Sequence, residues 1–283
     1  MNQPTTICKN CGNSFRGKFC NNCGEKVYGE HDKSIIHFFE EGFHFLTHFE
    51  GKFFTTLKIF FTKPGKVSVD YCDGVRKKYF KPLSLFLILV ILYLIFPFFE
   101  GLNMRMGYYS THKYFGAYAE TRIQQKLTET GLSKEALAEK FHAKSEKASK
   151  FLLITIVPFS ALVFYALTFF KRRYFFDHMV FSSEINSFYL LWGFLILPLL
   201  ISIFIFTVKW ITGSANMYLG DRVLSWLVYT PLIVYTATAS RRFYGFSWWQ
   251  LIIFCTAFYF AHTFIVYSLY KFLLFVTVIN QIH

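Results

Sequence analysis

The sequence is poor in charged residues, and this shortage excludes most soluble folds. Only 17% of the 283 residues are Asp, Glu, Lys or Arg, whereas a typical soluble domain has about 25%. Hydrophobic residues make up 54% of the chain, and Phe alone occurs 38 times. Because the mean hydropathy is also positive, at +0.34, much of the apolar surface is expected to face lipid. Disordered, collagen-like and coiled-coil proteins are excluded as well.

Acidic residues are the scarcer charge, with 17 Asp and Glu against 30 Lys and Arg. In a soluble domain this excess would suggest nucleic-acid binding. In a membrane protein the same excess more often lies beside the anionic leaflet and sets the topology. The expected partner is therefore a lipid bilayer with anionic headgroups, and nucleic acid is not an expected partner.

Two kinds of motif are also missing. The first residues lack the basic start and apolar run of a secretory signal, so the N-terminus is predicted to stay in the cytoplasm. The chain has no nucleophile elbow, no phosphate-binding glycine loop and no H-E-x-x-H pair, which argues against an enzyme.

Long apolar runs without charged residues are present, and each is near the roughly 20 residues that a helix needs to cross a bilayer. They predict an all-α integral membrane protein with about five transmembrane helices. The predicted spans are residues 82–99, 151–170, 186–208, 223–240 and 248–270. Residues 100–150, between the first two spans, are predicted to form a helical hairpin outside the cytoplasm.

The orientation follows from basic residues in short loops. Three basic clusters fall on one side of the predicted bundle: residues 76–81 before the first span, 171–173 after the second and 241–242 after the fourth. This side is predicted to be cytoplasmic. The C-terminal His283 is then predicted to lie outside.

Four cysteines in the first 28 residues have the spacing C-x2-C-x8-C-x2-C, which predicts a small zinc ribbon over residues 1–28. Four thiolates complete a tetrahedral shell and leave no position for water, so the expected zinc is structural. Two disulfides are the alternative, and they need an oxidising compartment. The four predicted ligands are Cys8, Cys11, Cys20 and Cys23.

Residues 34–81 are predicted to form interfacial amphipathic helices followed by a basic juxtamembrane segment. Within 34–61 a stripe of polar residues shares one side of the helix, namely His37, Glu41, His44 and His48. This stripe predicts either a second metal site, a pH-sensing face or a simply solvated face.

The basic residues directly before the first span are Arg76, Lys77, Lys78 and Lys81. They are expected to face lipid headgroups or phosphate. Topological anchoring is the simpler interpretation of the same cluster.

The order of these features resembles a known family. A short cysteine ribbon is followed by HFFEEGFHFLTHFEGKFFTTLK and then by KPGKV and GVRKKYFKP before the multipass region. This order is similar to the bacterial membrane proteins catalogued as domain of unknown function 3667. The resemblance implies a zinc-ribbon-bearing protein of the bacterial cytoplasmic (inner) membrane, and it implies no activity.

Three functions are consistent with the sequence. The first is a non-enzymatic scaffold, anchoring or regulatory module that displays the zinc ribbon to a cytoplasmic protein partner. The second is a transporter of an apolar or lipid substrate, although only His262 is ionisable near the middle of a predicted span. The third is an interfacial membrane enzyme that uses His37, His44 and His48.

Overall fold

A computed structural model describes residues 5–27, 34, 52–95, 102, 105–213 and 220–282. The predicted second metal site at His37, Glu41, His44 and His48 lies outside the described residues, as does His283. The described part of the chain is mostly helical, with one two-stranded sheet at its start.

The sheet consists of β1 (Thr6–Ile7) and β2 (Ser14–Phe15), which pair antiparallel. The helices are α1 (Phe53–Thr62), α2 (Lys66–Cys72), α3 (Pro82–Ile95), α4 (Met106–Ser110), α5 (Gly116–Thr130), α6 (Lys134–Leu152), α7 (Ile156–Thr168), α8 (Phe175–Leu190), α9 (Leu197–Thr212), α10 (Asp221–Tyr244), α11 (Trp248–Phe264) and α12 (Lys271–Asn280). Wide π turns join α8 to α9 over Leu191–Ile196 and α11 to α12 over Ile265–Tyr270.

Three helices of the described residues are long and apolar enough to cross a membrane: Phe175–Thr212, Arg222–Tyr244 and Trp248–Asn280. The pair Lys134–Ser149 and Leu153–Thr168, bent by 49°, gives a fourth if it counts as one span. The prediction of a helical membrane protein is thereby confirmed, but five spans are not. The helix at the first predicted span, α3, has 14 residues and a length of about 21 Å.

The third predicted span begins earlier than the sequence indicated. Hydropathy placed its start at residue 186, whereas the helix starts at Phe175 and carries Asp177, His178 and Glu184. All three side chains are buried. Helix α8 packs against α2, α3, α7 and α10. The buried groups are tolerated because Glu184 has partners from α2 and α10, His178 has partners from α7 and α10, and Asp177 faces Arg172.

One end of the bundle is marked by aromatic and basic side chains. The Arg241 guanidinium lies 4.3 Å from the centroid of the Trp248 ring, and Trp249 is exposed. Trp and Arg in this arrangement are typical of a membrane–water interface. Arg242 donates a hydrogen bond to the carbonyl of Pro64, which places the turn between α1 and α2 at this end.

Helices α5 and α6 lie at the opposite end, where both pack against α12. Helices α11 and α12 together run for 33 residues, or about 50 Å, away from Trp248. At their far end Arg122 Nη2 donates to Asn280 Oδ1 over 2.7 Å. Nearer their middle, His112 Nε2 is 2.9 Å from the carbonyl oxygen of Tyr267 in the π turn. The cysteine ribbon is at the first end, because it docks just after α2.

Candidate metal centre and the surface it docks on

The four N-terminal cysteines form a compact cluster whose ligand atoms all lie within 4.8 Å of one another. The Cys8 and Cys23 sulfurs are 3.6 Å apart, and so are those of Cys11 and Cys20. A disulfide would need about 2.05 Å, whereas a tetrahedral ion with metal–sulfur bonds of about 2.3 Å separates its sulfurs by about 3.8 Å. The cluster therefore fits a four-coordinate metal ion.

The ribbon consists of two similar halves offset by 12 residues. In each half the first cysteine N–H donates to the carbonyl five residues later, and the glycine after the second cysteine donates back to the first cysteine. The bonds are Cys8 to Asn13 and Gly12 to Cys8, matched by Cys20 to Glu25 and Gly24 to Cys20. Both glycines have φ near +70°, a value that glycine adopts without strain. Sequence reasoning missed this repeat because only the cysteines and their neighbours match.

Each half also donates to a sulfur of the other half. Asn10 Nδ2 is 3.5 Å from the Cys23 sulfur, and Asn22 Nδ2 is 3.7 Å from the Cys11 sulfur. Burial opposes ionisation of Cys20, but backbone N–H donors of Cys23 and Asn22 lower its pKa to about 6. Such donors favour the thiolate form that binds a metal.

Glu25 fixes the ribbon to the loop after α2. Its carboxylate is buried and accepts hydrogen bonds from the backbone N–H of Arg76, over 3.3 Å, and of Lys77, over 2.9 Å. Lys9 Nζ donates to the carbonyl of Asp73 over 2.7 Å, and Lys77 Nζ donates to the carbonyl of Cys23. Contacts in both directions therefore hold the metal cluster against residues 73–77.

The predicted headgroup-facing residues do not share one surface. Arg76 is buried, with its guanidinium 5.1 Å from the Tyr71 ring centroid and 4.9 Å from that of Phe176. Lys78 is exposed and lies over the Tyr79 ring. That these residues face lipid stays a prediction.

A cavity of about 280 Å³ opens between the ribbon and the juxtamembrane segment. It is lined by basic side chains from both parts of the chain, together with Glu25 and two tyrosines. The basic residues are Lys26, Lys52, Arg76, Lys77 and Lys81. Lys26 and Lys52 were not among the residues selected from the sequence, because neither belongs to the basic run before the first span.

Glu184 was not selected from the sequence either, and it holds the start of α2, whereas the ribbon contacts the loop that follows α2. Its carboxylate accepts from the backbone N–H of Gly65 over 2.7 Å and of Ser68 over 3.0 Å. The Ser68 hydroxyl and the Tyr235 hydroxyl, the latter 3.0 Å away, also donate to it. These four donors satisfy a carboxylate that is buried in the bundle.

Arg172 joins three parts of the molecule at the same end. Its Nη1 lies 3.3 Å from Asp73 Oδ1 and 3.5 Å from Asp177 Oδ2, and its Nε donates to the carbonyl of Phe243 over 3.3 Å. Burial alone would lower the pKa of Arg172, but the neighbouring groups Cys72, Asp177 and Asp73 raise it. Arg172 therefore links the loop after α2 to α8 and α10, in addition to its place in the basic cluster 171–173 that was used to predict the orientation.

Residues 50–94 match the sequence model of the family described as "Protein of unknown function (DUF3667)". This match confirms the resemblance found in the sequence. The matched segment contains α1, α2, the basic loop and nearly all of α3, so Glu25 and Glu184 contact it from outside. Comparisons with the curated proteins and with the solved structures gave no significant match.

Proposed function

We propose that this chain is a non-enzymatic membrane module that presents a structural zinc ribbon on the cytoplasmic face of the bacterial inner membrane. The observation that supports this proposal best is the docking of the four-cysteine cluster, through Glu25, on the segment that the family shares. The role we assign is that of a scaffold, anchoring or regulatory protein.

Zinc is the metal that suits the donor set. Four thiolates in a closed tetrahedral arrangement are typical of structural zinc sites. The ribbon core is small: among its described residues, 5–27, the buried cluster consists of Cys8, Phe15 and Cys20, with Cys23 packed against it. Because so little apolar surface is buried, the metal supplies most of the ribbon's folding energy.

Exposed apolar side chains of the ribbon support the proposal of a cytoplasmic protein partner. Ile7 is 69% exposed, Phe19 60% and Val27 42%. Contiguous exposed apolar side chains are typical of protein-binding surfaces.

The first test is metal analysis of the full chain, purified in detergent under reducing conditions. We expect one zinc ion per chain, and loss of that ion in Cys20→Ser. Cys255→Ser is the matched control, because Cys255 lies in α11 and should retain the zinc. Absence of zinc from the wild-type protein would remove the basis of the proposal.

The second test concerns the partner. A protein that co-purifies with the wild-type chain should be lost from Cys20→Ser, and also from Phe19→Ser while the zinc content of Phe19→Ser stays at one. Co-purification that neither substitution affects would contradict the module role.

A transporter is the alternative that gains most from the structure, because ionisable groups do lie inside the bundle. These groups have local partners, however. Glu184 receives four donors, and His262 Nε2 is 3.3 Å from Asn186 Oδ1. This is the pattern of packing residues. Flux in proteoliposomes that responds to His262→Ala would support the transporter.

Metal stoichiometry distinguishes an interfacial enzyme from the non-enzymatic module. Its proposed histidines lie outside the described residues. A second bound metal that is lost in His44→Ala would favour the enzyme over the module.

A further inference from the structure

Three polar side-chain atoms lie close together inside the bundle without a direct hydrogen-bond partner among the described residues. They are Nδ1 of His262, the hydroxyl of Tyr229 and the hydroxyl of Thr263. His262 is 1% exposed and Tyr229 5%, and the centroids of their rings are 5.9 Å apart. We propose that a water molecule is bound here, where it donates to His262 Nδ1 and bridges it to the two hydroxyls.

Hydrogen bonds determine which nitrogen of His262 carries the hydrogen. The carbonyl of Ser182 can only accept, so the Asn186 amide nitrogen, 2.9 Å away, must be the atom that faces it. The amide oxygen of Asn186 then faces His262 Nε2 over 3.3 Å, and Nε2 must be the donor. In the neutral ring Nδ1 is therefore a lone pair that needs a donor, and no group of the described residues supplies one.

The hydroxyls of Tyr229 and Thr263 provide the other contacts of the water. They are close enough to interact, but their geometry is not that of a direct hydrogen bond. Polar atoms at such a separation are commonly joined by a water molecule. A buried water makes about three hydrogen bonds, which matches one lone pair and two hydroxyls. Water suits this set because it both donates and accepts, whereas an anion has no hydrogen for Nδ1 of His262.

Both π turns of the bundle begin directly after residues of this cluster. Ile265–Tyr270 begins three residues after His262. Leu191–Ile196 begins two residues after Tyr189, whose ring centroid is 4.8 Å from that of His262. Irregular backbone at membrane depth occurs where it is buried in protein or lines a hydrated space, and π turns are frequent at functional sites. The backbone geometry therefore marks the same place as the unpaired side-chain atoms.

A proline interrupts the third helix at the same level. Pro231 lies two residues after Tyr229 in α10 and has no N–H for the carbonyl of Leu227, four residues earlier. Trp192 Nε1, from the π turn after α8, donates to that carbonyl over 2.9 Å. The freed backbone acceptor thus has a protein donor, whereas Nδ1 of His262 has none among the described residues.

The depth of the site leaves bound water as the means of pairing these atoms. His262 is about 21 Å along α11 from Trp248, the residue at the membrane–water interface. The hydrocarbon layer is about 30 Å thick, so the site lies inside it and bulk water does not reach the buried side chains. Buried polar atoms are normally paired by protein groups or by ordered water.

The test is X-ray radiolytic labelling of the full chain in detergent, read by mass spectrometry. The X-ray pulse produces hydroxyl radicals from bound as well as from bulk water, and radicals from bulk water do not reach a buried ring. We expect Tyr229 to be labelled faster than Tyr235. Tyr235 is the matched control, because it lies in the same helix and is also 5% exposed, but its hydroxyl donates to Glu184 Oε1 over 3.0 Å.

Two substitutions test the individual contacts. His262→Leu removes the acceptor, so the labelling of Tyr229 should fall to the rate of Tyr235. Thr263→Val keeps the shape of the side chain but removes its hydroxyl. It should lower the labelling of Tyr229 by up to about five-fold, the effect of one hydrogen bond on a binding equilibrium. Thr207→Val is the matched control, because the hydroxyl of Thr207 donates within α9, and it should leave the labelling of Tyr229 unchanged.

Several results would overturn the proposal. One is labelling of Tyr229 that is no faster than that of Tyr235. Another is a labelling rate that neither His262→Leu nor Thr263→Val lowers. An equal decrease in Thr207→Val would show a general change of packing instead of a bound water. Native mass spectrometry of the same samples tests one other occupant: a lipid that the wild-type chain retains and His262→Leu loses would place a lipid hydroxyl, rather than water, at Nδ1.

Discussion

Removal of the Glu25 side chain should release the ribbon from the bundle without loss of the metal. In Glu25→Ala the N–H groups of Arg76 and Lys77 lose their carboxylate acceptor. A hydrogen bond to a charged group contributes about 1.5–3 kcal/mol. Two such bonds at the lower value give about 3 kcal/mol, which lowers the ratio of docked to undocked ribbon about 150-fold. Glu25→Gln keeps one acceptor oxygen and should lower the ratio less.

Hydrogen–deuterium exchange read by mass spectrometry measures this change directly. The N–H groups of Arg76 and Lys77 are protected while they donate to Glu25 of the docked ribbon, so their exchange rate reports loss of this docking contact. We expect peptides over residues 73–78 to exchange about 100-fold faster in Glu25→Ala. The control is Asn13→Ala, which removes an exposed hydrogen bond within the ribbon, from Asn13 to Asn21 Oδ1, and touches no residue of the loop.

Two results decide the matter. Unchanged exchange at residues 73–78 in a Glu25→Ala protein that still holds one zinc would refute the docking role of Glu25. An equally large increase of the exchange rate at residues 73–78 in Asn13→Ala would show a general loosening of the ribbon instead.

Three further predictions concern neighbouring residues. Glu184→Leu leaves four buried donors without their acceptor, so the free energy of unfolding should fall by about 4 kcal/mol or more. The measurement is the thermal midpoint in detergent, which should be lower. A smaller decrease in this midpoint than in Glu184→Gln would contradict the prediction. Burial first, and then Asp177, raise the pKa of the Cys72 thiol, so iodoacetamide should modify it far more slowly at pH 8 than in the denatured protein, and equal rates would refute the assignment. Asn10→Ala should weaken zinc retention against a chelator by about 10- to 100-fold, because the amide that donates to the Cys23 sulfur is lost.

The features predicted from the sequence are those set by neighbouring residues. The cysteine spacing predicted the cluster because each pair of ligands lies within one tight turn. Apolar runs predicted the membrane helices for the same reason. The number of spans and the start of α8 were predicted less well. A hydropathy criterion leaves polar residues such as Asp177 out of a predicted span even where the bundle buries them.

The residues that hold these features together could not be predicted in the same way. Glu25 is 51 residues from Arg76, and Glu184 is 119 residues from Gly65. No local pattern identifies partners at these distances. A glutamate two residues after a cysteine, or near the start of an apolar run, has the same sequence signature whether it is buried or exposed.

The distance between Glu184 and α2 also has a consequence for biogenesis. A ribosome adds about 5–20 residues per second, so the 116 residues that separate Ser68 from Glu184 take roughly 6–23 s to synthesise. During that interval the family segment has emerged, but the carboxylate that fixes it does not yet exist. The segment therefore reaches its final hydrogen-bonding arrangement only after α8 has been made and inserted, and a nascent chain arrested before residue 184 should leave Gly65 and Ser68 open to exchange.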